Sequence, residues 1–153
     1  MAKQKQYWLL KTEPTSYNFD DLKKDGVTAW TGVRNYQARN YLRDSMKVGD
    51  KALFYHSGGE TSIMGICEIV SGPITDETAL DPKDSHYDPK STPANPIWYA
   101  VEIKYVAPLK TPLVLSEAKK MKGLEKMVLL QRCSRLSIQP VSAEEFKIIT
   151  GKS

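Results

Sequence analysis

Hydrophobic and polar positions along the chain change period several times, and each change marks an element. Tyr7-Trp8-Leu9-Leu10 is a short apolar run that reads as a buried strand, ended by Lys11-Thr12-Glu13-Pro14. Pro14 has no ladder donor and holds Glu13 in extended geometry, so the chain turns there. Phe19 to Lys24 predicts a short helix stopped by Gly26, followed by a brief extended piece, Val27-Thr28-Ala29-Trp30. From Arg34 to about Met46 the spacing is helical. Ala38, Leu42 and Met46 recur at i, i+4 and i+8, while Arg39, Arg43 and Lys47 form a parallel basic stripe one position round. Ala52 to His56 is a strand, Ser57-Gly58-Gly59-Glu60 a turn, and Ser62 to Val70 the returning strand of a hairpin. Gly65 inside that strand predicts a bulge or a close backbone approach.

The second half of the chain is less regular. Residues 72–96 are rich in Pro, Asp, Ser and Thr and predict a long loop, a type that is usually functional or mobile. Trp98 to Val106 alternates as a strand does. Ser116 to Met121 predicts a short helix with Gly123 as its C-cap, and Leu124 to Leu130 a further helical piece. Arg135 to Gln139 is a last strand. Ser142-Ala143-Glu144-Glu145 is a capping box for a terminal helix through Ile149. About five or six strands in mostly local hairpins, with short helices between, define an α+β fold with a curled, mostly antiparallel sheet. Closing it into a small barrel would remove its open edges.

Composition narrows the function classes. The 153 residues predict one domain, 1–153, with 41% hydrophobic and 26% charged residues. The net charge of +4 is mildly basic and does not by itself select nucleic acid. Cys67 and Cys133 have no Cys or His neighbour at metal-ligand spacing and read as reduced, buried thiols. There is no apolar leader at the N-terminus and no run of the roughly 18 apolar residues a membrane helix needs, so a soluble intracellular protein is expected. No phosphate-binding glycine loop, zinc spacing or two-metal carboxylate pair occurs, and neither metal nor cofactor is expected.

The richest chemistry lies in Trp30-Thr31-Gly32-Val33-Arg34-Asn35-Tyr36-Gln37-Ala38-Arg39-Asn40-Tyr41-Leu42-Arg43. Trp30 is either a core aromatic or one wall of a base-stacking slot, with Gly32 allowing a ligand close to the backbone. Arg34, Arg39 and Arg43 are either a solvated helix face or a phosphate-binding edge, and Tyr36 and Tyr41 interleave with them as on single-strand binding surfaces. Lys11, Thr12 and Glu13 at a strand end, and His56-Ser57 at another, are either solvated ends or the polar side of a pocket. Tyr87 and Trp98 are candidates for further aromatic surface.

Five blocks carry a resemblance: residues 7–14, 30–40, Phe54-Tyr55-His56-Ser57, Tyr87-Asp88-Pro89-Lys90, and Arg135-Leu136-Ser137-Ile138-Gln139-Pro140-Val141. In this order, across nearly the whole chain, they resemble the EVE domain. The resemblance implies a PUA-like fold, a curled β-barrel flanked by short helices, whose PUA, YTH, ASCH and SRA relatives read RNA or modified bases. It also implies recognition of modified bases, cytosine modifications such as 5-methylcytosine especially, and it places Trp30 where YTH domains carry one wall of an aromatic cage. The expected activity is therefore a nucleic-acid-binding module without catalytic residues. Its base pocket comprises Trp30, Lys11, Thr12, Glu13, Gly32, His56, Ser57, Tyr87 and Trp98, with Arg34, Arg39 and Arg43 on phosphates. The expected partner is DNA or RNA carrying a modified base, bound by a monomer and passed to a nuclease or repair enzyme in an adaptor reading. The site of action is the cytoplasm of a bacterium or the nucleus of a eukaryote. The alternative from another class is a small ASCH-like amidohydrolase acting on a modified nucleoside, for which Lys11-Thr12-Glu13 offers the residue types.

Overall fold

The computed structural model describes residues 6–13, 15, 17–33, 35–57, 61–125, 127–130 and 137–152. Pro14, Arg34, the hairpin glycines Gly58 and Gly59, Cys133 and the start of the last expected strand, Arg135-Leu136, lie outside them. Among the described residues, six strands form one sheet: β1 (Tyr7–Thr12), β2 (Val27–Trp30), β3 (Lys51–His56), β4 (Ser62–Thr75), β5 (Tyr99–Val114) and β6 (Ile138–Val141). Their order is β2-β5-β4-β3-β1-β6. All pairs are antiparallel except β1 with β3, which run parallel. That parallel pair requires a crossover, and the crossover is the segment holding α1 (Phe19–Asp25), β2 and α2 (Tyr36–Asn40). The α+β class is as expected. Among the described residues, the end strands β2 and β6 do not pair with each other, so the sheet curls without closing through hydrogen bonds.

Strands β4 and β5 are longer than the alternation predicts, reaching Thr75 and Val114. They tolerate this length because their pairing is broken by register shifts, at Ile63/Gly65, Ile66/Cys67, Ile69/Ser71 and Ser71/Ile74, and each shift bends and twists the ribbon. Gly65 is such a point. A Cβ there would lie 2.2 Å from the Phe19 ring and 2.7 Å from the Ala107 carbonyl.

The remaining helices cover the two faces. The predicted helix from Arg34 is in fact α2 followed by a wider π turn, Tyr41–Ser45, in which the Met46 N–H donates to the Tyr41 carbonyl at 2.8 Å. Ala38, Leu42 and Met46 still share the buried face. Asn35 caps α2, its side chain accepting from the Ala38 N–H. Helix α3 is short (Leu115–Ala118), and residues 128–130 form a single 3-10 turn where a longer helix is predicted. The capping box before α4 (Ala143–Lys152) is present: the Glu145 N–H donates to Ser142 Oγ and the Ser142 N–H to Glu145 Oε1, both at 3.0 Å.

Alternation along β1 splits the core in two. Trp8 and Leu10 join Phe19, Trp30 and Phe54 beneath α1 and α2, while Leu9 joins Leu53, Ile63 and Leu124 beneath α3 and α4. Cys67 is fully buried in the first cluster, and burial pushes its thiol up to about 12, so it is inert packing rather than a nucleophile.

Candidate functional site

The site begins at the free edge of the sheet. As the end strand of the sheet, β2 has half of its main-chain N–H and C=O groups facing away from β5. Beside this edge is a cavity of about 440 Å³ lined by Thr28, Ala29, Trp30, Thr31, Gly32 and Val33 from β2 and its turn. Lys11, Thr12 and Ser137 line it from the ends of β1 and β6, Tyr17 from the approach to α1, and His86 from the long loop. The volume falls within the range that encloses a small planar ligand, about 300–1,000 Å³.

Trp30 is 8% exposed, with its ring edge-on to Phe54 at 5.6 Å. It therefore belongs to the core and to the cavity wall together. Gly32 follows with φ +82°, a conformation L side chains rarely adopt. A Cβ at Gly32 would lie 3.0–3.2 Å from three atoms of the His86 ring, so the missing side chain is what lets His86 close over the turn. The Gly32 N–H donates to Asp76 Oδ2 at 2.8 Å. Asp76 is fully buried, and its other oxygen accepts from the Thr78 N–H and hydroxyl at 2.9 and 2.5 Å. One buried carboxylate thus ties the Trp30 turn to the start of the long loop. Further on, Asp84 Oδ1 accepts from the His86 N–H at 2.8 Å and lies 3.1 Å from His86 Nδ1, fixing the ring.

Four of the expected pocket residues, Trp30, Gly32, Lys11 and Thr12, line this cavity. Lys11 does so at the strand end, where its N–H meets the Ser137 carbonyl. Its ammonium lies 6.0 Å from the Tyr55 ring centre, on the opposite face from Trp30, and burial lowers its pKa. Glu13 is exposed and outside the lining, so Lys11, Thr12 and Glu13 do not converge as a catalytic group.

His56 and Ser57 are also outside the lining and serve the fold. His56 Nε2 accepts from the Phe19 N–H at 3.0 Å, capping α1, and the Ser57 N–H donates to the Thr12 carbonyl. Burial lowers the His56 pKa, opposed by nearby Asp20, in keeping with a neutral acceptor. Tyr87 is 40% exposed and outside the lining, and the ring that reaches the cavity belongs to its neighbour His86. Trp98 is buried behind the helix with its Nε1–H donating to Asp88 Oδ2 at 2.7 Å.

On the basic edge, Arg39 Nη1 donates to the Ile97 carbonyl at 2.9 Å, and Arg43 makes a two-pronged pair with Asp44 at 2.8 Å. Arg34 lies outside the described residues.

Tyr17, Thr28, Ala29, Thr31, Val33, His86 and Ser137 are lining residues that reading the sequence missed. Tyr17 had a signal in its place, three residues after Pro14 in the sequence. Its hydroxyl donates to Asp25 Oδ2 at 2.8 Å, and burial, then that hydrogen bond, pushes its pKa up to about 12. No group of three or more His, Cys, Asp or Glu side chains placed to hold a metal occurs among the described residues. Among the described residues, no helix is long and apolar enough to cross a membrane.

A curled α+β sheet with a cavity at its free edge, matched by the EVE domain profile over residues 6–152, places this chain in the EVE domain family. It is similar to human thymocyte nuclear protein 1, at 41% identity over 163 residues covering 94% of this chain and 72% of that protein. Its structure is similar to that of a hypothetical protein from Leishmania major (TM-score 0.92, 45% identity, 97% of this chain and 94% of that one). It is also similar to human THYN1 in complex with 5-methylcytosine-containing DNA (TM-score 0.88, 39% identity, 96% of each chain). The chain spans 69%, 66% and 72% of the length of its zebrafish, chicken and human curated relatives.

Proposed function

We propose that this chain binds nucleic acid and takes one modified base, a 5-methylated cytosine, into the cavity beside Trp30. The observation that carries the reading is a tryptophan that forms core on one side and cavity wall on the other, next to an exposed sheet edge. The 5-methylcytosine DNA complex of the human relative, built on the same fold at 39% identity, supports the choice of ligand. Trp30 gives the base a stacking surface worth about 1–3 kcal/mol. His86, held by Asp84 and seated against Gly32, is the facing wall. The outward main-chain groups of Thr28 to Thr31, with Thr12, meet the polar edge of the base. Arg43 and Arg39 hold flanking phosphates. Extruding a base costs a few kcal/mol, least from a single strand, which the stack and edge contacts offset. The 5-methyl group adds at most about 0.8 kcal/mol, roughly fourfold in affinity.

The test is a titration of oligonucleotides that differ only in cytosine, 5-methylcytosine or 5-hydroxymethylcytosine at one position. The wild type is compared with Trp30→Leu, which keeps apolar volume in the core. Tightest binding to 5-methylcytosine by the wild type, weakened about 5- to 150-fold in the variant, is the expected result. Equal binding by both proteins removes Trp30, and with it the cavity, from the site.

A further inference from the structure

The helix leaving the cavity carries a second ring surface. Tyr36 opens α2, three residues after Val33, so its Cα lies within about 11 Å of a cavity-lining residue. Its ring stacks on Trp98, with centroids 4.9 Å apart and planes 28° apart. Trp98 is 5% exposed and fixed through Asp88, so the ring beneath Tyr36 cannot swing. The Arg39 guanidinium carbon sits 5.2 Å from the Tyr36 ring centre, and its Nη1 is anchored on the Ile97 carbonyl. Tyr36 is nevertheless 59% exposed. With Trp98 stacked on it and the guanidinium over it, a residue still that exposed leaves much of its ring edge and surface in water. A solvated helix position needs neither a buried tryptophan behind it nor an anchored guanidinium beside it. An immobilised aromatic ring with a planar guanidinium over it suits a nucleobase, because stacking on ring or guanidinium tolerates any base and the cation favours the adjoining phosphate.

We infer that Tyr36, backed by Trp98 and flanked by Arg39, is a stacking platform for a base next to the one held in the cavity. The inference rests on the base-binding reading above. It gives Trp98 a supporting place behind the platform instead of a place in the pocket wall, and it accounts for a loop that carries His86 to the cavity and Trp98 to the helix.

The experiment is an anisotropy titration of a single-stranded oligonucleotide with one central 5-methylcytosine, and of a matched strand whose flanking positions are abasic. Wild type, Trp30→Leu and Tyr36→Leu are compared. Leucine keeps an apolar cover over Trp98 but offers no ring, and a near-ultraviolet spectrum checks that the fold is kept. Tyr36→Leu is expected to bind the intact strand about 5- to 150-fold more weakly than the wild type. Removing the flanking bases should weaken the wild type by a similar factor and the variant by almost nothing, because both changes delete one contact. Wild-type binding that depends on Trp30, with Tyr36→Leu within twofold of the wild type, overturns the platform and leaves the cavity standing. Equal losses from abasic flanks in both proteins also overturn it. No binding by the wild type removes both readings together.

Discussion

Beneath α3 and α4 the core is mainly aliphatic, built on Leu9, Leu53, Ile63, Leu109, Leu124 and Met127. Beneath α1 and α2 it is aromatic, with Phe19 and Trp30 against Phe54, and Trp8 against Tyr41, through tilted and edge-on rings. The aromatic side is also pinned by polar acceptors, two of them buried carboxylates and one a half-buried histidine. Asp50 takes the Trp8 indole N–H and the Lys47 N–H, His56 takes the Phe19 N–H, and Asp76 takes the Gly32 N–H. Apolar packing is tolerant of small shifts, whereas a hydrogen bond to a buried carboxylate fixes position within tenths of an ångström. The cavity lies on the pinned side. One face of the sheet supplies stability, and the other spends part of it on holding a tryptophan, a glycine turn and a histidine in register.

The largest effect that tests this division is on the aliphatic side. Leu53→Ala empties a fully buried position and should lower stability by about 3–5 kcal/mol. In the folded fraction, oligonucleotide affinity should stay at the wild-type value. Denaturant melts paired with titrations below the transition check both, and a matching loss of affinity would break the contrast between the faces.

Next in size is Asp76→Ala, which strands the Gly32 and Thr78 N–H groups and should cost about 2–4 kcal/mol. Here affinity should fall along with stability, because the Gly32 turn and the loop bearing His86 lose their shared anchor. A variant that melts early yet binds normally when folded would put Asp76 in the same class as Leu53.

A smaller, pH-dependent effect belongs to His56. Its Nε2 accepts the Phe19 N–H only when neutral, and burial lowers its folded pKa below the ordinary value of about 6.5. The unfolded chain therefore takes up the proton first. The contribution is complete above about pH 6.5 and is lost as pH falls through the lowered folded pKa. His56→Gln keeps an acceptor that does not titrate, so the difference in melting temperature between wild type and variant should grow from pH 7.5 to the acid side in the variant's favour. A difference that is flat with pH would mean that Nε2 carries no such bond.

How far these features could be read in advance depends on how local they are. The capping box at Ser142–Glu145, the buried face of Ala38, Leu42 and Met46, and the close approach at Gly65 follow from neighbours in sequence, and the structure has each of them. The parallel pairing of β1 with β3 and the full length of β5 depend on distant partners and were not legible. The cavity divides the same way. Trp30 and Gly32 announce themselves through an aromatic beside a small-residue turn. Asp76 and His86 matter because a fold brings them 44 and 54 residues back onto that turn, and nothing in an Asp- and Pro-rich loop marks His86 above Tyr87.

The smallest expected effect separates the two arginines of the helix. Arg39 is built into the structure through the Ile97 carbonyl, so Arg39→Gln should loosen the Tyr36–Trp98 stack as well as weaken binding. Arg43 is exposed, and among the described residues it bonds to Asn40 and pairs with its exposed neighbour Asp44, a pair that a phosphate can displace. Arg43→Gln should leave the melting temperature unchanged. If Arg43 touches one phosphate, the slope of log affinity against log salt should become shallower by about 1. Measuring that slope from low to moderate salt for both variants decides the matter. A slope that Arg43→Gln does not alter would make its side chain a solvating group, and would move the electrostatic share of binding to the residues around the cavity itself.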